Sequence, residues 1–170
     1  MREEIDKIKE LAKKELTPDF FENHVKLVVK EAKWLLKFYP EADEEVVEAA
    51  CWLHDIVHPS SGYKGDDHNV ASAKRAEIFL REIGVDDDKI KKIIHCIMSH
   101  RTSRPPEPET IEAKIVASSD NLSHFDGFDY LVKKRGREWA ENKIKKDLKV
   151  KFMLPEAIEY AKKKMKEIKR

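Results

Sequence analysis

Apolar residues along this chain recur every three or four positions and nowhere alternate over a sustained run, a pattern that builds helices rather than sheet. The predicted fold class is therefore all-α. A capping residue or first-turn proline marks helix starts at Thr17-Pro18, at Asp43, at Asp66-Asp67, at Asp86 to Asp88, before Thr110 and at Pro155, while Gly84 marks a stop. The spacing predicts helices over Asp19 to Phe38, Glu44 to Val57, Asn69 to Ile83, Asp88 to Arg101 and Thr110 to Phe125, with more helix over 128–170. Two loops, Pro59 to Asp67 and Thr102 to Glu109, are rich in Pro, Gly and Ser and follow histidine-bearing helices, so they are expected at the rim of a site. No repeat or low-complexity linker divides the 170 residues, and one compact helical domain over 1–170 is expected.

On a wheel of about 100° per residue, His24 falls in the middle of the stripe made by Phe20, Phe21, Val28, Ala32 and Leu35. It must face inward. On the next helix, His54 shares the face of Val47, Ala50 and Cys51, with Asp55 one residue further round and His58 one turn below. The helix from Thr110 is apolar nearly all round and is therefore expected to be central, with Asp120 on its small-residue side beside Ala113, Val116 and Ala117. Burying carboxylates among imidazoles costs several kcal/mol unless a cation or a tight hydrogen-bond network offsets it.

Composition narrows the partners. Lys and Arg (34) nearly balance Asp and Glu (33), so no global field draws the chain to nucleic acid or membrane, and a small partner is expected. No apolar run is long enough for a membrane span, and the start MREEIDKIKE is too charged for a secretory signal, which suits a cytoplasmic protein. Cys51 and Cys96 lie inside apolar helical patterns and are expected as free buried thiols. Charged residues reach 39% and glutamine is absent, a bias that favours surface ion pairs and fits a thermophilic source. Trp34, Trp52 and Trp139 are scattered over different helices and are expected in the core, and the terminal KKKMKEIKR reads as one charged helix face.

His54 follows His24 by 30 positions and Asp120 follows Asp55 by 65, each within a helical frame. His24, the pair His54-Asp55 in AACWLHDIV and Asp120 in KIVASSDNL together resemble the H…HD…D signature of the HD superfamily of phosphohydrolases over roughly residues 20 to 132. The closest likeness is to its small stand-alone bacterial and archaeal hydrolases. Their last motif usually reads D-x-D-R-L-D, where this chain has Ser118-Ser119-Asp120-Asn121-Leu122-Ser123. The resemblance implies a divalent metal on His24, His54, Asp55 and Asp120, and hydrolysis of a phosphate ester or anhydride of a small substrate, a nucleotide, by attack of metal-bound water. Mixed nitrogen and oxygen ligands suit Mn, Fe, Co, Ni or Zn, with Mg not distinguished.

Other residues carry open alternatives. His68 and His100 could complete a second metal site, as in a two-metal cyclic nucleotide or dinucleotide phosphodiesterase, or could meet phosphate with Lys64, Arg101 and Arg104 from the rim loops. On the helix from Asp88, His100 lies at the margin of the face of Ile90, Ile93, Ile94 and Ile97, whereas His95 projects nearly opposite, toward solvent. His58 either moves a proton of the attacking water or caps the last carbonyls of its helix. A protein that binds metal and nucleotide without hydrolysing anything is the reading outside enzymes.

Overall fold

A computed structural model describes residues 2–65, 67–150 and 153–169. Every regular element among them is helical. In order these are α1 (Arg2–Glu15), α2 (Pro18–Phe20), a π turn (Phe21–Val25), α3 (Lys26–Leu35), α4 (Glu44–Leu53), a 3-10 turn (Pro59–Ser61), α5 (His68–Glu82), α6 (Asp87–Ser99), α7 (Ile111–Asp126), α8 (Phe128–Arg135), α9 (Arg137–Asp147) and α10 (Pro155–Ile168). The fold is all-α, as the periodicity predicts.

Local chemistry explains most of the starts. Asp43 accepts from the N–H groups of Glu45 and Val46 at 3.1 and 3.2 Å, Asp86 from Asp88 and Lys89 at 2.9 and 3.3 Å, and Thr110 from Ala113 at 3.2 Å. Each satisfies donors that the first turn leaves unpaired, a contribution of about 1 kcal/mol apiece. Gly84, at φ +80°, closes α5 in a backbone conformation that a side chain would strain. The start read at Asp66-Asp67 falls on Asp67, whose side chain makes no cap hydrogen bond, and Asp66 lies outside the described residues. Helix α1 was signalled by no cap, yet Ile5, Ile8, Leu11 and Ala12 form a helical stripe that seats it on α4, with Ile8 and Ala12 fully buried.

The core is one cluster of buried apolar side chains contributed by helices from α1 to α10. Helix α7 runs through it, buried at Ala113, Ile115 to Ser119, Asn121 to Ser123 and Phe125, and packs on α3, α4, α6, α9 and α10. Its last turn comes so close to the π turn that a Cβ on Gly127 would lie 2.8 Å from the Ser123 carbonyl and 3.2 Å from that of Asn23. Only glycine fits this approach, which brings the helix of Asp120 against the segment of His24.

Three expectations need correction. Helix α4 stops at Leu53, not Val57, because Ile56 N–H turns back to the Leu53 carbonyl at 3.2 Å and Ser72 of α5 takes both the N–H and the carbonyl of Val57. Helix α5 begins at His68 rather than Asn69. Trp139 is 43% exposed with the Arg135 guanidinium over its ring, since α9 turns Ala140 and Ile144 to the core instead; Trp52 is buried and Trp34 packs against the core. Cys51 and Cys96 are free and buried, and burial pushes both thiols up. Among the described residues, no helix is long and apolar enough to cross a membrane.

Where α3, α7 and α10 meet, Glu31 lies 2% exposed beside Asp126. Asp126 accepts from Lys30 at 2.7 Å and from Tyr160 at 2.8 Å, with Lys164 at 3.3 Å. Burial, then the neighbouring Asp126, pushes the Glu31 carboxyl up to about 7.

Candidate metal centre

The expected residues converge from five segments. The π turn, in which Lys26 N–H reaches back to the Phe21 carbonyl, widens the helix where it carries His24, and both Phe20 and Phe21 remain buried beside it. His54 is the C-cap of α4 and His100 the C-cap of α6, so both histidines sit where helix carbonyls run out of intrahelical partners. Asp55 follows in the turn, His68 opens α5 and Asp120 comes from α7. His24, His54, Asp55 and His100 are all buried.

Asp55 stands at the middle. Its Oδ2 lies 3.6 Å from His24 Nε2, 3.5 Å from His54 Nε2 and 3.8 Å from His58 Nε2. Its Oδ1 faces the other way, 3.2 Å from His68 Nε2 and 3.4 Å from His100 Nε2. Asp120 Oδ1 is 3.4 Å from His24 Nε2 and 3.8 Å from His54 Nε2, and those two nitrogens are 3.3 Å apart.

The second ring nitrogens fix what these atoms offer. His54 Nδ1–H donates to the Cys51 carbonyl at 2.8 Å and His100 Nδ1–H to the Ile97 carbonyl at 2.7 Å, in both cases three residues back along the helix end. Ser123 spends its hydroxyl proton on the Asp120 carbonyl at 2.7 Å and so accepts from His24 Nδ1–H at 3.1 Å. In the neutral rings, Nε2 of His24, His54 and His100 therefore carries a lone pair, and these lone pairs face one another and two carboxylates. Asp55 Oδ1, fully buried, has no hydrogen bond although two imidazole nitrogens lie within reach, because neither is aligned to donate. A buried set of acceptors without donors is relieved by a cation.

Electrostatics agree. Burial draws His54 down to about 4, against the opposing pull of Asp55, so the ring is neutral and ready as a ligand at neutral pH. Burial alone would raise Asp55, yet His54, His100, His24 and His68 hold its carboxyl well below the usual range. Asp120 is likewise held down in spite of burial, by His124, His24 and His54. His100 is pulled down by burial and up by Asp55, and the carboxylate prevails.

The remaining candidates divide. His68 faces the centre, and His100 is inward, as the wheel places it. His95 points away from the centre and is half-buried rather than free in solvent, its Nε2 accepting the Glu109 N–H at 3.3 Å. His58 is not on the helix and caps no α4 carbonyl; with an extended backbone it caps the 3-10 turn, Nδ1 accepting Ser60 N–H at 3.1 Å while its ring stacks on Phe20 at 4.3 Å. Lys64 is exposed and Arg101 half-buried on the rim loops, which Arg104 ties together through Asp67 at 2.6 Å. One residue was not singled out beforehand. His124 stands on the Asp120 side, and its place four positions after Asp120, on the same helix face, was the available signal.

Three groups of His and Asp donors here are close enough to hold a metal: His24, His54 and Asp55; Asp55, His68 and His100; and His24, Asp120 and His124. The family model of the HD domain matches residues 21–124, the stretch that contains every one of them. The chain belongs to the HD-domain family. HD domains are in general metal-dependent phosphohydrolases, in keeping with donor groups able to hold a divalent ion. No curated protein and no solved structure matches the chain.

Proposed function

We propose that this HD domain hydrolyses a phosphate ester or anhydride of a small substrate, a nucleotide, at a centre for two divalent ions that share Asp55. The observation that carries the reading is the division of Asp55, with Oδ2 turned to His24 and His54 and Oδ1 turned to His68 and His100. His24, His54, Asp55 and Asp120 would hold one ion, and Asp55, His68 and His100 the other. When bound, such ions lower the pKa of water and neutralise phosphate charge. The nucleotide is carried by the family resemblance, and Lys64 and Arg101 stand on the rim where phosphate oxygens would enter.

The chain's own groups do the rest. Water adds to phosphorus, the bond from phosphorus to the departing oxygen breaks, and that oxygen takes a proton. Burial draws His58 down to about 4, and its Nδ1 is occupied as an acceptor, so at neutral pH its proton sits on Nε2, on the side of Asp55. We assign it as a hydrogen-bond donor to the phosphate rather than as a base. His58→Ala should keep the metal and lower kcat roughly 10²- to 10³-fold without changing the shape of the pH–rate profile. Loss of one limb of that profile would instead return His58 to proton transfer.

The function is tested by counting metal per chain and assaying the loaded protein against nucleoside monophosphates, triphosphates and cyclic phosphodiesters. Two ions per chain and release of phosphate, pyrophosphate or an opened cyclic ester are expected. One ion per chain would leave the simple four-ligand site. No product from any substrate class would favour a binding protein that keeps its metal.

A further inference from the structure

The Asp120 side of the centre holds a histidine whose environment is built for ligation. His124 follows Asp120 by one helical turn on α7, and the ligand atoms of His24, Asp120 and His124 lie within 4.8 Å of one another. The ring is held from behind: its Nδ1 is 3.0 Å from Asp147 Oδ2, on α9. Asp147 is 3% exposed, and its other oxygen accepts from Lys143 at 2.6 Å. With Lys143 on one oxygen, the Asp147 carboxylate accepts the His124 Nδ1–H on the other. Nε2 is then left with its lone pair. The His124 ring also lies nearly parallel to that of His24, with centroids 5.6 Å apart.

A carboxylate that accepts one ring N–H and leaves the other nitrogen free is how proteins orient a metal-binding histidine and raise its basicity. The same network without an ion would be only a tie between α7 and α9. One feature favours ligation. Asp147 lies on a helix beyond the matched HD segment, yet its carboxylate reaches the histidine that shares the face of Asp120.

We propose that His124 is a further protein ligand of the divalent ion on His24 and Asp120, and that Asp147 is the residue that positions it. Three imidazoles and two carboxylates would then surround that ion, leaving one place of an octahedron open, and a mid-row transition metal suits the set. The inference rests on the cation reading above.

The test is Co2+ titration of the metal-stripped full chain, following the visible bands of Co2+ and the heat of binding. His124→Ala should weaken the ion on the Asp120 side and shift its bands through loss of a nitrogen ligand. Asp147→Asn, which preserves volume and keeps the ring, should weaken it about 10- to 100-fold, with the metal-free melting temperature measured alongside. If both variants bind Co2+ as the parent does, with unchanged bands, while Asp147→Asn melts earlier, the network is a structural tie and the proposal fails. If the parent chain takes up no Co2+ at all, the cation reading itself fails and this inference with it.

Discussion

Asp55→Ala is expected to abolish metal binding and phosphate release together while the helices stay folded. Among the described residues, the Asp55 carboxylate is the only group that faces both histidine pairs, so its removal takes a donor from each position at once. Packing loses little, because the atoms removed form a small polar group surrounded by imidazole rings. In the metal-free chain, the change also removes a buried charge whose Oδ1 has no hydrogen bond. The variant should therefore give the parent's helical circular dichroism. It should also lose the stabilisation that bound metal confers, about 4 kcal/mol at a thousandfold excess over the dissociation constant. Metal content by mass spectrometry and melting curves with and without metal check this. Retention of two ions, or of turnover, would remove Asp55 from the centre.

The second large effect is acid sensitivity of the metal-free chain. His54 has its pKa drawn from 6.5 to about 4, so in the unfolded chain it binds a proton at a higher pH than in the folded one. Its contribution is present above pH 6.5 and is lost as the pH falls toward 4, about 3 kcal/mol in all. His58 is shifted in the same direction. Glu31 has the opposite sign: raised from 4.5 to about 7, its contribution is present below pH 4.5 and is lost as the pH rises through 7. His54 and His58 fall while Glu31 and His100 rise, so removing the Glu31 titration in Glu31→Gln should make the acid loss steeper than in the parent. The same variant should gain on the parent as the pH is raised from 4.5 to 7. Calorimetry in a chelator across pH 4 to 8 measures both limbs. A melting temperature in Glu31→Gln that stays flat between pH 6.5 and 4 would sink the argument. Metal should displace the acid limb to lower pH, because protons and the ion compete for the same Nε2 lone pairs.

Periodicity and capping chemistry were enough to read the helical class, the starts at Asp43, Asp86 and Thr110, the central place of α7 and the inward faces of His24, His54, Asp120 and His100. Each of these depends only on which side of a helix a residue occupies, and spacing along the chain encodes that directly. The early end of α4 was not legible, because Ser72, fifteen positions on from Val57, takes the backbone groups that a longer helix would have used. That end places Asp55 in a turn rather than on the helix, with one oxygen facing each histidine pair. His58 left the helix for the same reason. Trp139 belongs with these, since the sequence marks it as a large apolar residue and only the packing of Ala140 and Ile144 decides that it faces out. The π turn under His24, the tautomers set by Cys51, Ile97 and Ser123, and the hold of Asp147 on His124 all depend on atoms brought together across the fold or at a helix end. A sequence specifies faces through local spacing, whereas ligand geometry is set by where helices stop and which neighbour takes each hydrogen bond.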